Sequence, residues 1–359
     1  MLRNALAMTA AAALTGCASK VEAPVDNSPA SSTAVFETLI VNGGILGLVP
    51  FEVSQKHYVR ANMRRDEQAM RGTGTFTGWL VTAVSGEGDT SVVRLDADKR
   101  WVINNPKKEY TECPAHGCPV PPQEHKPTKK EPAQRQEPKQ ETQKDCVARI
   151  ASNTFDVKQT GATRTINGFS TDGYHVAWVV RMRDPKKRVT TSTVSAEVWT
   201  TPLTDDMRKA FSYEGEFYRA YGGSSRALAP KSSGADAKPI PPEVTSMMAA
   251  YLSSLSASDR AALVNIGDKL SRIKGYPIQT KVEWHLAGNA CAPENGQSTQ
   301  SAPSGAAGVA SAVGGLFGKK DQPSDDKPIL SFTFETRSLK IDTVRDSVFG
   351  VPAGYKRLN

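Results

Sequence analysis

The sequence lacks a long hydrophobic run, is poor in histidine and aromatic residues, and carries none of the short motifs of the common catalytic folds. The apolar stretch nearest the start, Ala5 to Leu14, is about half the ~20 residues that a membrane-spanning helix needs. Apolar residues reach 38% and charged residues 23%, which excludes a multi-span membrane protein and a wholly disordered chain. The 28 glycines and 23 prolines follow no triplet period, so collagen is excluded too. There is no Gly-x-Ser-x-Gly elbow, no His-Glu-x-x-His helix and no Gly-Lys-Ser/Thr phosphate loop. Gly72-Thr73-Gly74-Thr75-Phe76-Thr77-Gly78 imitates a nucleotide loop, but no helical pattern follows it. Of the five histidines, His125 falls in a Pro- and Lys-rich tract and His116 between two cysteines. His57, His175 and His285 stand in strand-like runs, where a polar residue on the wet face is the plain expectation. Asp205-Asp206 and Asp325-Asp326 read as a helix start and a loop. No enzyme, no cofactor and no metal is expected.

What is present is an address. Met1-Leu2-Arg3-Asn4, an apolar run of about ten residues and Thr15-Gly16-Cys17 form a secretory signal over 1–16. Leu14-Thr15-Gly16-Cys17 resembles the bacterial lipobox, which implies cleavage before Cys17, acylation of its thiol and several acyl chains on the mature N-terminus. Two or more acyl chains give stable anchoring. Ala18 and Ser19 follow without an Asp, so the expected location is the cell envelope, at the outer membrane facing the periplasm. Residues 17–33 then read as the acylated Cys and a flexible tether. The formal charge of +8 falls to +7 once Arg3 is removed. A solvated surface with modest excess charge is the plain expectation, and in that compartment anionic lipid headgroups or lipopolysaccharide suit excess Lys and Arg better than nucleic acid does.

Four further cysteines, Cys113, Cys118, Cys146 and Cys291, suggest two disulfides in an oxidising compartment, with three connectivities open. The preferred pairing is Cys113–Cys118, closing Pro114-Ala115-His116-Gly117, with Cys146–Cys291. The second bridge would close a loop of about 145 residues and contribute about 4–5 kcal/mol on the chain-entropy model. Cys113, His116 and Cys118 as soft metal ligands form the rival reading, but their spacing matches no familiar zinc pattern.

Residues 34–359 read as one antiparallel-sheet domain with disordered insertions at about 119–144, 224–240 and 289–327. Val35 to Ile40, Phe76 to Val81, Ser91 to Leu95, Trp101-Val102-Ile103, Tyr174 to Val180 and Val194 to Trp199 alternate with period two. Asn104 to Tyr110 and Asn167-Gly168 mark turns. Ile278 to Leu286, Ile329 to Thr336 and Ser338 to Val344 supply later strands. Thr204 caps a helix with Asp205 and Asp206 in its first turn and Met207, Phe211, Tyr218 and Tyr221 as its stripe. Two more helices are expected, over Val244 to Leu255 and from Ser258 to Ile273. On the first of these, Met247, Met248, Tyr251 and Leu255 form a face suited either to core packing or to an apolar ligand.

Four segments carry a family resemblance: Trp101 to Thr111, Ile166-Asn167-Gly168-Phe169 with Tyr174-His175-Val176, Val198 to Leu203, and Phe349 to Tyr355. Through them the chain resembles bacterial lipoproteins of unknown function related to the periplasmic lipoprotein-carrier (Lol-type) half-barrel family. The resemblance implies an α+β fold: a large curved antiparallel sheet, open as a half-barrel, with about three helices against its concave face. In the carriers the apolar cavity between sheet and helices holds acyl chains. The insertions and the anchor depart from the compact, diffusing carriers, which favours an anchored receiver over a shuttle. The expectation is an envelope lipoprotein that binds a lipid or acyl chain under its sheet. The alternative is a structural lipoprotein with a filled core that meets an envelope protein partner through its loops.

Overall fold

The structure is a computed structural model, and it describes residues 26–45, 50–74, 88–118, 146, 148–222, 269–291 and 327–358. Twelve strands form one sheet: β1 Ala30–Ile45, β2 Phe51–Arg60, β3 Met63–Gly72, β4 Asp89–Arg94, β5 Lys99–Asn104, β6 Glu109–Cys113, β7 Arg149–Ile166, β8 Phe169–Arg183, β9 Val189–Thr201, β10 Tyr276–Gly288, β11 Leu330–Arg345 and β12 Lys356–Arg357. One helix, α1 Asp205–Ala220, follows β9. The strand order is β12-β6-β5-β4-β3-β2-β1-β11-β10-β9-β8-β7. The chain therefore builds two antiparallel meanders and joins them through the β1–β11 pair, where Phe36 stands opposite Leu339.

This corrects the expected architecture. The described residues hold one helix, not about three, and the sheet is mixed because β12 pairs parallel to β6. The sheet is open: β12 and β7 end the strand order. The helix expected over Val244 to Leu255 lies outside the described residues, as does all of the next one except its end near Lys269 and Leu270. The strand expected over Phe76 to Val81 and most of the three insertions also lie outside them. β1 starts at Ala30, inside the span 17–33 expected to be a tether, and Thr33 is fully buried. The two expected last strands are one strand, β11. Arg337 is an extra residue between the pairs Glu37–Ser338 and Thr38–Thr336, a bulge that breaks the sequence alternation without ending the ladder.

Strand alternation sorts the side chains into two faces. Val92 and Val93 are neighbours in β4 and both are buried, so both faces of the sheet are covered there. On the inner face Val93 joins Ala34, Phe36, Val59 and Leu339 beneath Met207, Ala210 and Phe217 of α1. On the outer face Val92 joins Met63, Ile103 and Phe349, beneath the C-terminal segment that carries Val348, Val351 and Tyr355. Arg60 pins that segment, donating to the Thr33 hydroxyl at 2.7 Å, to Asp346 at 2.5 Å and to the Val344 carbonyl at 2.5 Å. Its guanidinium lies 4.7 Å from the Phe349 ring centre.

Candidate functional site

The inner face continues well beyond α1, and the register defines it row by row. One row runs Val53, Ile40, Phe334, Thr280, Val198, Tyr174 across six strands. The next runs Phe51, Asn42, Phe332, Val282, Ala196, Val176, Val157. A third joins Leu330, Trp284, Val194, Trp178 and Phe155. On the outer face the intervening row Lys281, Glu197, His175, Lys158 is polar. The sheet is thus amphipathic over its β7–β11 half, as a sheet with one covered face must be. At the β7–β9 end these side chains close into a core with Leu270 and Ile273. Ile40, Phe51, Phe332, Phe334 and Trp284 are only half-buried. Phe332 and Phe334 meet edge to face with ring centres 5.6 Å apart.

A polar cluster bounds this face beside α1. His57, Asp66 and Ser91 are register partners across β2, β3 and β4, in the row that begins at Leu339 and Phe36. His57 Nδ1 lies 2.5 Å from Asp66 Oδ1, and Arg64 Nε donates to both Asp66 oxygens at 2.8 and 2.9 Å. Arg64 also reaches Glu214 of α1 at 3.3 Å and lies 5.3 Å from the Tyr218 ring centre. Burial opposes the Asp66 charge, but His57 and Arg64 outweigh it and hold the carboxyl below its usual range. Burial likewise opposes the Arg64 charge, and Asp66 overrides it, so the guanidinium stays firmly protonated. A hydrolytic triad needs the imidazole between the nucleophile and the acid. Here the carboxylate is central and saturated by Arg64, so the cluster is a clamp between sheet and helix.

His57 was expected on the wet face, and the structure places it on the inner one. His175 is exposed and opposite Glu197, on the polar face as expected. The signal for His57 was in the hairpin itself: the two-residue turn Ala61-Asn62 pairs Arg60 with Met63 and so sets His57 against Asp66.

Both disulfides are present, Cys113–Cys118 and Cys146–Cys291. The bridge removes Cys113 and Cys118 as metal ligands, and the His116 ring lies against Tyr221 at 5.2 Å between centres. Cys146 and Cys291 cluster with the carboxylate of Asp184. Their sulfurs are bonded to each other, and Asp184 is occupied by Arg188 and the Cys291 N–H. Cys17, Met247, Met248, Tyr251 and Leu255 lie outside the described residues. No helix among the described residues is long and apolar enough to cross a membrane. No family model and no curated protein matches the chain, so its function is inferred from its geometry and chemistry.

Proposed function

We propose that this protein is a membrane-anchored envelope lipoprotein, held through acyl chains on Cys17, that binds a hydrophobic or amphiphilic ligand on the inner face of its sheet. One observation carries the reading. Beyond α1 the inner face presents half-buried Ile40, Phe51, Phe332, Phe334 and Trp284 in contiguous rows, while Lys281, Glu283, Ser331, Thr333 and Glu335 make the opposite face of β10 and β11 polar. Each such side chain gains about 25 cal/mol per Å² when a ligand removes it from water, and an acyl chain supplies the matching surface. The lipobox-like Leu14-Thr15-Gly16-Cys17 supports the anchor and the envelope location.

A second reading has its own support. Arg64 and Glu214 tie α1 to the sheet, and Phe211 fills the seam against Phe36 and Tyr276 at 6.0 and 5.1 Å between ring centres. A protein so closed under its helix fits a structural lipoprotein that meets an envelope protein through its loops. Native mass spectrometry decides between the two, on the chain from residue 18 exported without its anchor and gently purified. A bound mass of lipid size, released by organic solvent, is the expected result. Ligand-free protein that also refuses fluorescent acyl probes rejects ligand binding in favour of the scaffold.

A further inference from the structure

The tip of the β8–β9 hairpin gathers an unusual density of positive charge. Arg181, Arg183, Lys186, Lys187 and Arg188 lie within eight residues, and Arg149 of β7 joins them as the register partner of Arg183. Among the described residues of this tip the one carboxylate is Asp184, whose side chain is fully buried. It is spent on structure, accepting from Arg188 Nε at 2.7 Å and from the backbone N–H groups of Arg188 and Cys291 at 2.9 and 3.0 Å. The side chains of Arg149, Arg181, Arg183 and Lys187 are exposed, and no described carboxylate pairs with any of them.

Two features run against stability, and both retain charge. Arg149 directly opposite Arg183 is a like-charge cross-strand pair, an unfavourable arrangement. Lys187 has φ 66°, the left-handed conformation that a hairpin turn ordinarily gives to Gly or Asn. Its N–H nevertheless closes the turn onto the Asp184 carbonyl at 2.9 Å. The tip is also rigidly built. The Cys146–Cys291 bridge ties the approach to β7 to the segment after β10, and Asn289 N–H donates to the Val189 carbonyl at 3.2 Å. Gly288 lets that segment lie so close that a Cβ there would sit 2.1 Å from the Val189 oxygen. The cations are therefore displayed on a fixed platform, so a ligand need not pay for ordering it.

We infer that the β8–β9 tip, with Arg149, is a docking surface for an anionic phospholipid membrane. Guanidinium groups in a row suit phosphate headgroups, which they engage through paired N–H donors. The choice of lipid over another polyanion rests on the envelope reading above. The tip lies at the opposite end of the strands from Ala30, where the tether enters. The surface can therefore engage a bilayer independently of the acyl anchor.

The test uses the unacylated chain from residue 18, which retains every described residue, and its variant R149Q/R183Q/K187G. The substitutions remove the like-charge pair and the strained turn, so the variant should melt no lower than the parent. Co-sedimentation is measured with vesicles of phosphatidylcholine alone and of phosphatidylcholine mixed with phosphatidylglycerol. The parent should bind the mixed vesicles selectively and release as salt rises, and the variant should bind them at least about tenfold more weakly. Equal binding of parent and variant, or of the two vesicle types, overturns the proposal. Binding to a DNA duplex as tight as to the mixed vesicles, with the same loss in the variant, also overturns it by showing a general polyanion site. Apolar-ligand uptake is read separately by mass, so either proposal can fail while the other stands.

Discussion

A single buried carboxylate shows how residue chemistry sets pH behaviour. Burial alone would raise the Asp184 pKa, but the Cys291 N–H and Arg188 reverse this and bring it down to about 2. The unfolded value is about 3.9. With the folded pKa depressed, the stabilisation is complete above the unfolded value and is lost as pH falls from about 4 towards about 2. Urea midpoints measured across that window should therefore drop more steeply for the parent than for Asp184→Asn. Parallel curves would show that the carboxylate contributes nothing. Asp184 was not singled out from sequence, because nothing in Arg183-Asp184-Pro185 reveals that the carboxylate points inward to meet Cys291, over a hundred residues later. The inner position of His57 is hidden for a related reason: alternation reports period, but not which of the two phases faces the core.

At the scale of elements, the ends of α1 are legible in the sequence, but its inward face carries Ala210 and Phe217, whereas Tyr218 of the expected stripe is exposed. The Thr204 hydroxyl accepts from the Met207 N–H at 3.2 Å, Asp205 and Asp206 fill the first turn, and Gly222 follows the helix at φ 93°. Replacing Thr204 with Ala should cost about 1 kcal/mol, seen as a lower urea midpoint with an unchanged slope. A cost near zero would mean that packing against Phe36 and Leu339 alone holds the helix. The hairpin turn at Asn167-Gly168 was equally plain, since both residues take positive φ, at 51° and 86°. β11 resembles two strands in sequence because Arg337 shifts the phase of alternation. A bulge and a strand break look identical until the partner strand is known.

For the whole molecule, the Cys146–Cys291 bridge is the longest covalent constraint, with a sequence separation of 145. It joins the entry to β7 with the exit from β10, so it locks four of the five strands, β7 to β10, that carry the amphipathic face. Replacing both cysteines with serine should lower stability by about 2–5 kcal/mol in urea titration. The same loss on adding reductant to a Cys113→Ser/Cys118→Ser variant, which keeps only this bridge, would identify the bond, not the substitution, as its source. Period-two alternation, turn residues, helix caps and cysteine parity are local properties, so a mostly antiparallel sheet, its one described helix and the disulfide pairing preferred here could be read from the chain. The joining of two meanders through β1 and β11, some 300 residues apart, could not, because that pairing depends on which edges remain unfilled once each meander has formed. The same folding step decided which face α1 covers and left the aromatic rows beyond it half-buried. Those contacts are set by packing and register between distant strands, to which no local propensity responds.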